Sequence, residues 1–280
     1  EIFSPKDFSL QSWQHIYSAF DPVAFKVFGL SVHWYGLMYV GALLGVYMFA
    51  RWLSQKDNYP FTKEDVDSYF FWAEMGVILG ARLGYILFYD THTVWYLTHP
   101  WQIFNPFMDG TFVGIRGFSY HGGLLGFLLS SYLWCKKNKK NFLVLMDLTA
   151  VSAGVGYTFG RIGNFLNQEL VGRPTDSPFG IWVGATLRHP SQLYEAFFEG
   201  VVVFVILYSI RLKKTFDGEL AFMYGILYGV FRAFCEFFRD PDPQIGYLMG
   251  QWLTMGMLLS LLTAAISGFF YFWAKKLKRA

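Results

Sequence analysis

The stretch GRIGNFLNQELVG, residues 160–172, places polar and charged side chains where a long apolar run ends. Those side chains belong to Arg161, Asn164, Asn167 and Glu169. Near the hydrocarbon of a membrane, an arginine costs free energy unless it faces polar groups or water. We therefore expect other segments of the chain to supply polar partners for this stretch.

The composition of the chain is that of a membrane protein. Of its 280 residues, 54% are hydrophobic, 21% aromatic and 15% charged, whereas a soluble protein has about 25% charged residues. Several apolar runs approach the roughly 20 residues that a helix needs to cross a bilayer. We predict an all-α polytopic membrane protein in which residues 1–280 form a single integral membrane domain.

The apolar runs predict seven transmembrane helices. They cover residues 30–53, 67–89, 118–135, 142–165, 191–210, 219–238 and 251–273. Residues 1–28 are expected to form an interfacial N-terminal arm, and residues 166–190 a small extramembrane cap between spans four and five. Lysine and arginine concentrate after the odd-numbered spans, which predicts an outside N-terminus and a cytoplasmic C-terminus.

This topology places polar residues from several spans in the outer half of the membrane. They are Tyr35, Arg82, His121, Arg161, Asn164, Arg232, Glu236 and Arg239. Each charged residue at a helix centre costs roughly 2.5–3.5 kcal/mol, so these side chains are expected to face one another and a polar cavity. The spacing of Arg232, Glu236 and Arg239 puts all three on one helical face. The glycines of GARLG, GRIGN and HGG are expected to allow close backbone approach.

Several of these residues also have structural interpretations, which stay open. Arg232 and Glu236 suit a purely structural intramembrane ion pair, and Arg239 suits a headgroup anchor. Tyr35 suits an aromatic belt at the membrane interface. His189, which precedes a proline at a loop-to-helix junction, suits a helix cap.

The chemistry that this set of residues favours is anion binding. Arginines hold phosphate through planar, bidentate hydrogen bonds, and a phospholipid headgroup is the phosphate at that depth. The sequence has no Gly-rich nucleotide loop, no His-His-carboxylate metal spacing and no GxSxG motif. Cys135 and Cys235 lie in apolar runs and are interpreted as core residues. We expect general acid–base catalysis by His121, with no metal, no cofactor and no nucleic-acid partner.

Six motifs together carry a family resemblance. They are GRIGNFLNQELVG, SYHGGLLG, HWYGLMY, GARLGYILFY, RHPSQLYE and the pattern YG..R...E..R, which lie between about residue 33 and residue 239. With these motifs the chain resembles the bacterial prolipoprotein diacylglyceryl transferases, and no motif position departs from the family pattern. The resemblance implies transfer of the diacylglyceryl group from phosphatidylglycerol to the lipobox cysteine of a prolipoprotein. It also implies a multi-pass protein of the bacterial inner membrane, with its active site toward the periplasmic leaflet.

The resemblance implies roles for the polar residues as well. The expected catalytic residues are His121, Arg161 and Arg232. The expected substrate-binding residues are Tyr35, Arg82, Asn164, Asn167, Glu169, Gly172, His189, Glu236 and Arg239. Two alternatives remain: an arginine-assisted thiol that needs no base at His121, and a lipid transporter that uses the same arginines. An inverted repeat would favour the transporter, and the sequence shows none.

Overall fold

The computed structural model describes residues 10–108, 110–112, 114–115, 117–241 and 246–279. Its α-helices are α1 (Leu10–Gln14), α2 (Trp34–Lys56), α3 (Lys63–Phe88), α4 (Thr93–Thr98), α5 (Tyr120–Asn138), α6 (Phe142–Leu166), α7 (Ser191–Glu195), α8 (Val203–Ile210), α9 (Glu219–Cys235) and α10 (Met255–Arg279). A π-helical turn, Ala196–Val202, joins α7 to α8. The chain divides into a large unit, Glu1–Trp52 with Met146–Ala280, and a small unit, Leu53–Leu145.

Five helical segments of the described chain are long and apolar enough to cross a membrane. They are Trp34–Lys56, Lys63–Phe88, Phe142–Leu166, Ser191–Lys213 and Met255–Lys278. The protein is thus a polytopic helical membrane protein, as the composition predicts. The other two long helices, α5 and α9, have 19 and 17 residues and are not among the five. The count of seven spans therefore stays a prediction.

The expectation of an all-α protein is wrong in detail, because short antiparallel hairpins occur in both units. Their strands are β1 (Val23–Val27) with β2 (Leu30–His33), β3 (Phe107–Met108) with β4 (Thr111–Phe112), β5 (Ile181–Val183) with β6 (Thr186–Arg188), and β7 (Tyr247–Met249) with β8 (Leu253–Thr254). Between β1 and β2, Phe28 and Gly29 both have positive φ, as a two-residue hairpin turn requires. Residues 30–33, predicted to begin the first span, belong to this hairpin instead.

In the small unit, α3 and α5 pack through glycines. A Cβ atom on Gly80 would lie 2.4 Å from the Gly122 carbonyl oxygen, and one on Gly126 would lie 2.1 Å from that of Gly76. Small residues spaced four apart let membrane helices approach this closely. The close approach predicted for GARLG and HGG is therefore present between these helices.

In the large unit, glycines bring α6 against the π turn. A Cβ atom on Gly200 would lie 2.2 Å from Thr158 Oγ1, and one on Gly154 would lie 2.9 Å from the Gly200 carbonyl oxygen. At the start of α9, the buried Asp147 carboxylate accepts hydrogen bonds from three backbone amides and from Lys214 Nζ at 3.0 Å. These contacts join α6 to the π turn and to the start of α9.

The N-terminal arm packs against the cap. Tyr17, Phe165 and Ile181 form a buried apolar cluster that joins the arm, the end of α6 and strand β5. Trp13 Nε1 donates a hydrogen bond to the Phe179 carbonyl (3.0 Å), and Gln168 Nε2 donates to the Tyr17 carbonyl (3.0 Å). From residue 10 onward, the predicted interfacial arm is thus docked on the protein; residues 1–9 lie outside the described residues.

Candidate functional site

Arg161 is the centre of a hydrogen-bonded network on α6. Its Nε donates to Tyr157 Oη (3.0 Å) and lies 2.9 Å from Glu195 Oε2, and its Nη1 donates to Asn164 Oδ1 (3.3 Å). Asn164 Nδ2 in turn donates to Glu169 Oε1 (2.8 Å). Tyr157, Arg161 and Asn164 stand four and three residues apart, which places them on one face of the helix.

A second part of the network lies at the end of α9. Arg232 Nη2 is 2.5 Å from Glu236 Oε1, and Arg239 Nε is 3.7 Å from the same oxygen. Thr254 Oγ1 donates to Glu236 Oε2 (2.6 Å). A Cβ atom on Gly256 would lie 2.7 Å from Glu236 Oε1, so the glycine leaves room for the carboxylate.

Glu195, at the end of α7, joins the two parts. Its Oε2 faces Arg161 and its Oε1 lies 3.5 Å from Arg239 Nη1. One turn further, Glu199 accepts a hydrogen bond from Tyr157. Both glutamates are fully buried.

Sequence reasoning missed Tyr157, Glu195 and Glu199. A signal was present for the glutamates: two carboxylates four residues apart lie within a predicted span, and intramembrane acids are rare without a role. Tyr157 had no such signal, because a tyrosine in an apolar helix is ordinary.

The network leaves one buried donor unused. It contains the guanidinium groups of Arg161, Arg232 and Arg239 and the carboxyl groups of Glu169, Glu195, Glu199 and Glu236. A cavity lined by Arg232, Glu236, Arg239 and Thr254, among others, opens onto it. Arg232 Nη1 is buried and has no hydrogen-bond partner in the described part of the chain. A buried donor of this kind favours an anionic ligand, because leaving it unpaired costs free energy.

Three predicted residues lie on the cap side of the network. Gly172 forms an isolated β-bridge with Arg239, and a Cβ atom there would lie 2.3 Å from the Phe238 carbonyl oxygen. His189 accepts a backbone hydrogen bond from Gly172 (2.9 Å), and burial lowers the pKa of its imidazole. Asn167 is half-buried, and its backbone N–H donates to the Gly163 carbonyl (2.9 Å). Gly172 and His189 thus tie the cap to the end of α9.

Tyr35 stands at the start of α2 in the large unit. It is 40% exposed, and its ring lies beside Gly163 of α6, where an added Cβ would be 3.4 Å from Cδ2.

Arg82 and His121 belong to the small unit. Arg82 is buried and donates to the carbonyls of Ile103 (2.5 Å) and Gly117 (3.2 Å) and to Tyr96 Oη (3.4 Å). It therefore holds the segment after α3 in place. His121 is exposed in the first turn of α5, with its ring edge-on to that of Tyr120.

The fold and the buried network define a class of protein: a polytopic membrane protein with an arginine–glutamate network among its helices. The family model of prolipoprotein diacylglyceryl transferase matches residues 22–273, and the chain belongs to that family. The resemblance seen in the motifs is confirmed.

Three relatives show how close the similarity is. The chain is 60% identical over 252 residues to a protein of Wolinella succinogenes, covering 90% of this chain and 92% of the relative. It is 57% identical to one from Campylobacter lari (96% and 99% covered) and 54% identical to one from Aliarcobacter butzleri (96% and 98%). All three carry the name phosphatidylglycerol–prolipoprotein diacylglyceryl transferase.

Proposed function

We propose that this protein transfers the diacylglyceryl group of phosphatidylglycerol to the lipobox cysteine thiol of prolipoproteins, the first step of bacterial lipoprotein maturation. Family membership and the names of the relatives support the reaction. The observation that carries the proposal is the buried network of Arg161, Arg232 and Arg239, in which Arg232 Nη1 has no hydrogen-bond partner among the described residues.

The reaction exchanges one bond for another. The cysteine sulfur attacks the glyceryl carbon, a thioether bond forms, and the bond from that carbon to the phosphate oxygen breaks. The electron pair stays on the leaving glycerol phosphate, and the thiol proton is released. Negative charge on the phosphate grows during this step, so arginines that hold it stabilise the transition state more than the substrate.

Arg161 and Arg232 are the proposed phosphate clamp. Glu236 orients Arg232 through their ion pair, and Glu169 acts on Arg161 through Asn164. Asn164 keeps a second amide hydrogen that suits a phosphate or glycerol oxygen. Arg239 is a further phosphate contact.

We propose further substrate contacts in addition to this clamp. Tyr35 meets the headgroup, whereas Asn167, Gly172 and His189 shape the side of the site formed by the cap. Arg82, whose guanidinium already has three acceptors, is a second-line phosphate contact.

His121 is the proposed general base. A cysteine thiol has a pKa near 8.5 and reacts as the thiolate, and histidine is the side chain best suited to take a proton near neutral pH. The alternative is that arginines near the sulfur favour the thiolate without a base.

For the membrane arrangement we propose seven spans, in which α5 and α9 complete the five long apolar helices. Lysine and arginine concentrate in or just after the last turns of α2, α5, α8 and α10, which supports a cytoplasmic location for these ends. The network then faces the outer leaflet of the inner membrane, where prolipoproteins emerge.

The decisive experiment combines the purified full-length protein, phosphatidylglycerol in nanodiscs and a lipobox peptide. We expect a peptide mass increase of one diacylglyceryl group and an equal amount of glycerol phosphate. A peptide with serine in place of cysteine is the control and stays unmodified. Movement of labelled lipid across vesicles without any peptide product would instead support the transporter.

A further inference from the structure

Tyr157 and Glu199 form a buried pair that the clamp described above does not use. The Tyr157 hydroxyl donates its single proton to Glu199 Oε2, and its oxygen accepts a hydrogen bond from Arg161 Nε (3.0 Å). A hydroxyl has one donor and two acceptor positions. Because the carboxyl group accepts the proton, the acceptor side of the hydroxyl is turned toward Arg161.

The Nε of Arg161 is held from two sides. Tyr157 Oη and Glu195 Oε2 both lie within 3.0 Å of it. This leaves the Nη edge of the guanidinium for Asn164 and for a ligand. Bidentate binding of a phosphate depends on the direction of that edge. The hydrogen bond from Nε to Tyr157, which is itself bonded to Glu199, therefore bears on the geometry that the clamp needs.

The helix carrying Glu199 is distorted where it meets α6. Glu199 lies inside the π turn Ala196–Val202, and such turns are rare and recur at functional sites. In the same turn Gly200 packs against Thr158 of α6, the residue after Tyr157. The turn therefore presents the carboxyl group of Glu199 to the tyrosine.

Burying the carboxyl group of Glu199 costs free energy, and a need for packing alone does not account for a glutamate at this position. Its side chain is fully buried, and Oε1 has no hydrogen-bond partner among the described residues. An apolar side chain at this position would avoid that cost.

We propose that Tyr157 and Glu199 are positioning residues, which orient Arg161 so that its Nη edge meets the leaving phosphate. This inference rests on the proposed transferase function. It deepens that function by extending the clamp one helical turn further along α6, to groups that do not touch the substrate.

The first test compares Tyr157→Phe and Glu199→Gln in the transfer assay. Losing a hydrogen bond to a charged group corresponds to about 10- to 100-fold, and we expect kcat to fall by that factor with Tyr157→Phe. With Glu199→Gln we expect kcat to fall by about tenfold, since the glutamine side chain keeps a neutral acceptor for the tyrosine hydroxyl. We expect KM for phosphatidylglycerol to change by less than about threefold, because orientation acts mainly in the transition state.

A matched control separates positioning from packing. Tyr208→Phe removes a hydroxyl from another half-buried tyrosine of the large unit, outside the network, and is expected to leave kcat unchanged. All variants are compared at equal folded fraction by thermal unfolding. If both network variants keep kcat within about twofold of the unaltered protein, the inference is overturned while the transferase function stands.

The second test is a double-mutant cycle with Arg161→Lys. Lysine has no Nε–H and no fork, so Tyr157→Phe is expected to reduce kcat further by less than about twofold in this background. Reductions that multiply would indicate independent structural effects and overturn the inference. If the unaltered protein makes no thioether product at all, the transferase function itself fails, and this inference fails with it.

Discussion

At the scale of single residues, Arg161 shows how the protein places a charged side chain among apolar helices. It meets a hydroxyl, a carboxylate and an amide, and two of the three lie on its own helix. The contacts on that helix follow from a local spacing that the sequence displays. The contact with Glu195 depends on how α6 packs against α7. The sequence alone did not predict this packing.

Replacing Arg161 with alanine is expected to abolish transfer by the folded protein. The change removes a phosphate ligand and leaves Glu195, which is fully buried, with Arg239 at 3.5 Å as its remaining ion pair. Loss of one transition-state donor costs about 10²–10³ in kcat, and here we expect at least that. The assay measures kcat, and alkaline extraction of membranes confirms insertion. Near-normal turnover would remove Arg161 from the clamp.

Arg232→Lys tests whether the fork of the guanidinium matters. A lysine cannot keep the contact with Glu236 and also present a second planar donor to a phosphate. We expect kcat/KM to fall by about 10²-fold, measured with phosphatidylglycerol as the varied substrate. Full activity would mean that the position needs only positive charge.

His121→Asn tests the proposed base. Loss of general base catalysis lowers rates by about 10²–10⁴, whereas lipid binding is expected to stay the same. The rate is measured at several pH values on either side of neutrality, together with binding of phosphatidylglycerol by the unaltered protein and the variant. A rate that is unchanged at every pH would exclude His121 as a base and favour the arginine-assisted thiol.

At the scale of elements, the long helices were predictable and the short ones were not. The predicted fourth and fifth spans, 142–165 and 191–210, agree closely with Phe142–Leu166 and with the segment from Ser191 to Ile210, because the length of an apolar run sets the length of a membrane helix. The β1–β2 hairpin was missed because its turn, Phe28 and Gly29, sits in an apolar sequence. The π turn was missed because its seven residues are too few to show a hydrophobic period different from that of an α-helix.

Gly200→Ala tests the close contact between the π turn and α6. The new methyl group would lie 2.2 Å from Thr158 Oγ1 and 3.1 Å from the Thr158 backbone, so the Thr158 side chain or the two helices must shift. We expect a loss of about 1–3 kcal/mol in the free energy of unfolding and reduced transfer activity. Gly268→Ala is the matched control: apart from the adjoining backbone of its own helix, no heavy atom of the described residues lies within 4 Å of the added methyl group, and alanine favours a helix over glycine. Equal stability of the two variants would contradict the packing described.

At the scale of the whole molecule, the cap is held by segments far apart in the sequence. The arm reaches it through Trp13, and the end of α9 reaches it through the bridge between Gly172 and Arg239. The sequence predicted the arm and the cap as separate pieces, since nothing local indicates that they pack together. It also predicted most residues of the network and the ion pair between Arg232 and Glu236, because polar groups in apolar helices stand out. It did not show the contacts that Glu195 and Glu199 make.

Trp13→Ala tests the attachment of the arm. The change removes a hydrogen bond to the cap and a ring stacked on Phe165 at 6.3 Å between centroids. Truncating a large aromatic side chain costs about 3–5 kcal/mol when it is fully buried, and we expect less here because Trp13 is half-buried. Limited proteolysis is expected to cleave the arm and the cap faster than in the unaltered protein. Equal cleavage rates would show that the arm does not hold the cap.

The division into units has a consequence for how the protein is made. The small unit is one continuous segment, whereas the large unit is completed only by residues from Met146 onward. A ribosome therefore finishes α3 and α5 early, and their glycine contacts are then ready to form. Arg161 reaches the membrane before Glu195, Glu199 and Glu236, because it precedes them in the chain. During biogenesis Arg161 therefore lacks its carboxylate partners until those residues follow it into the membrane. Any factor that slows elongation after α6 prolongs this interval.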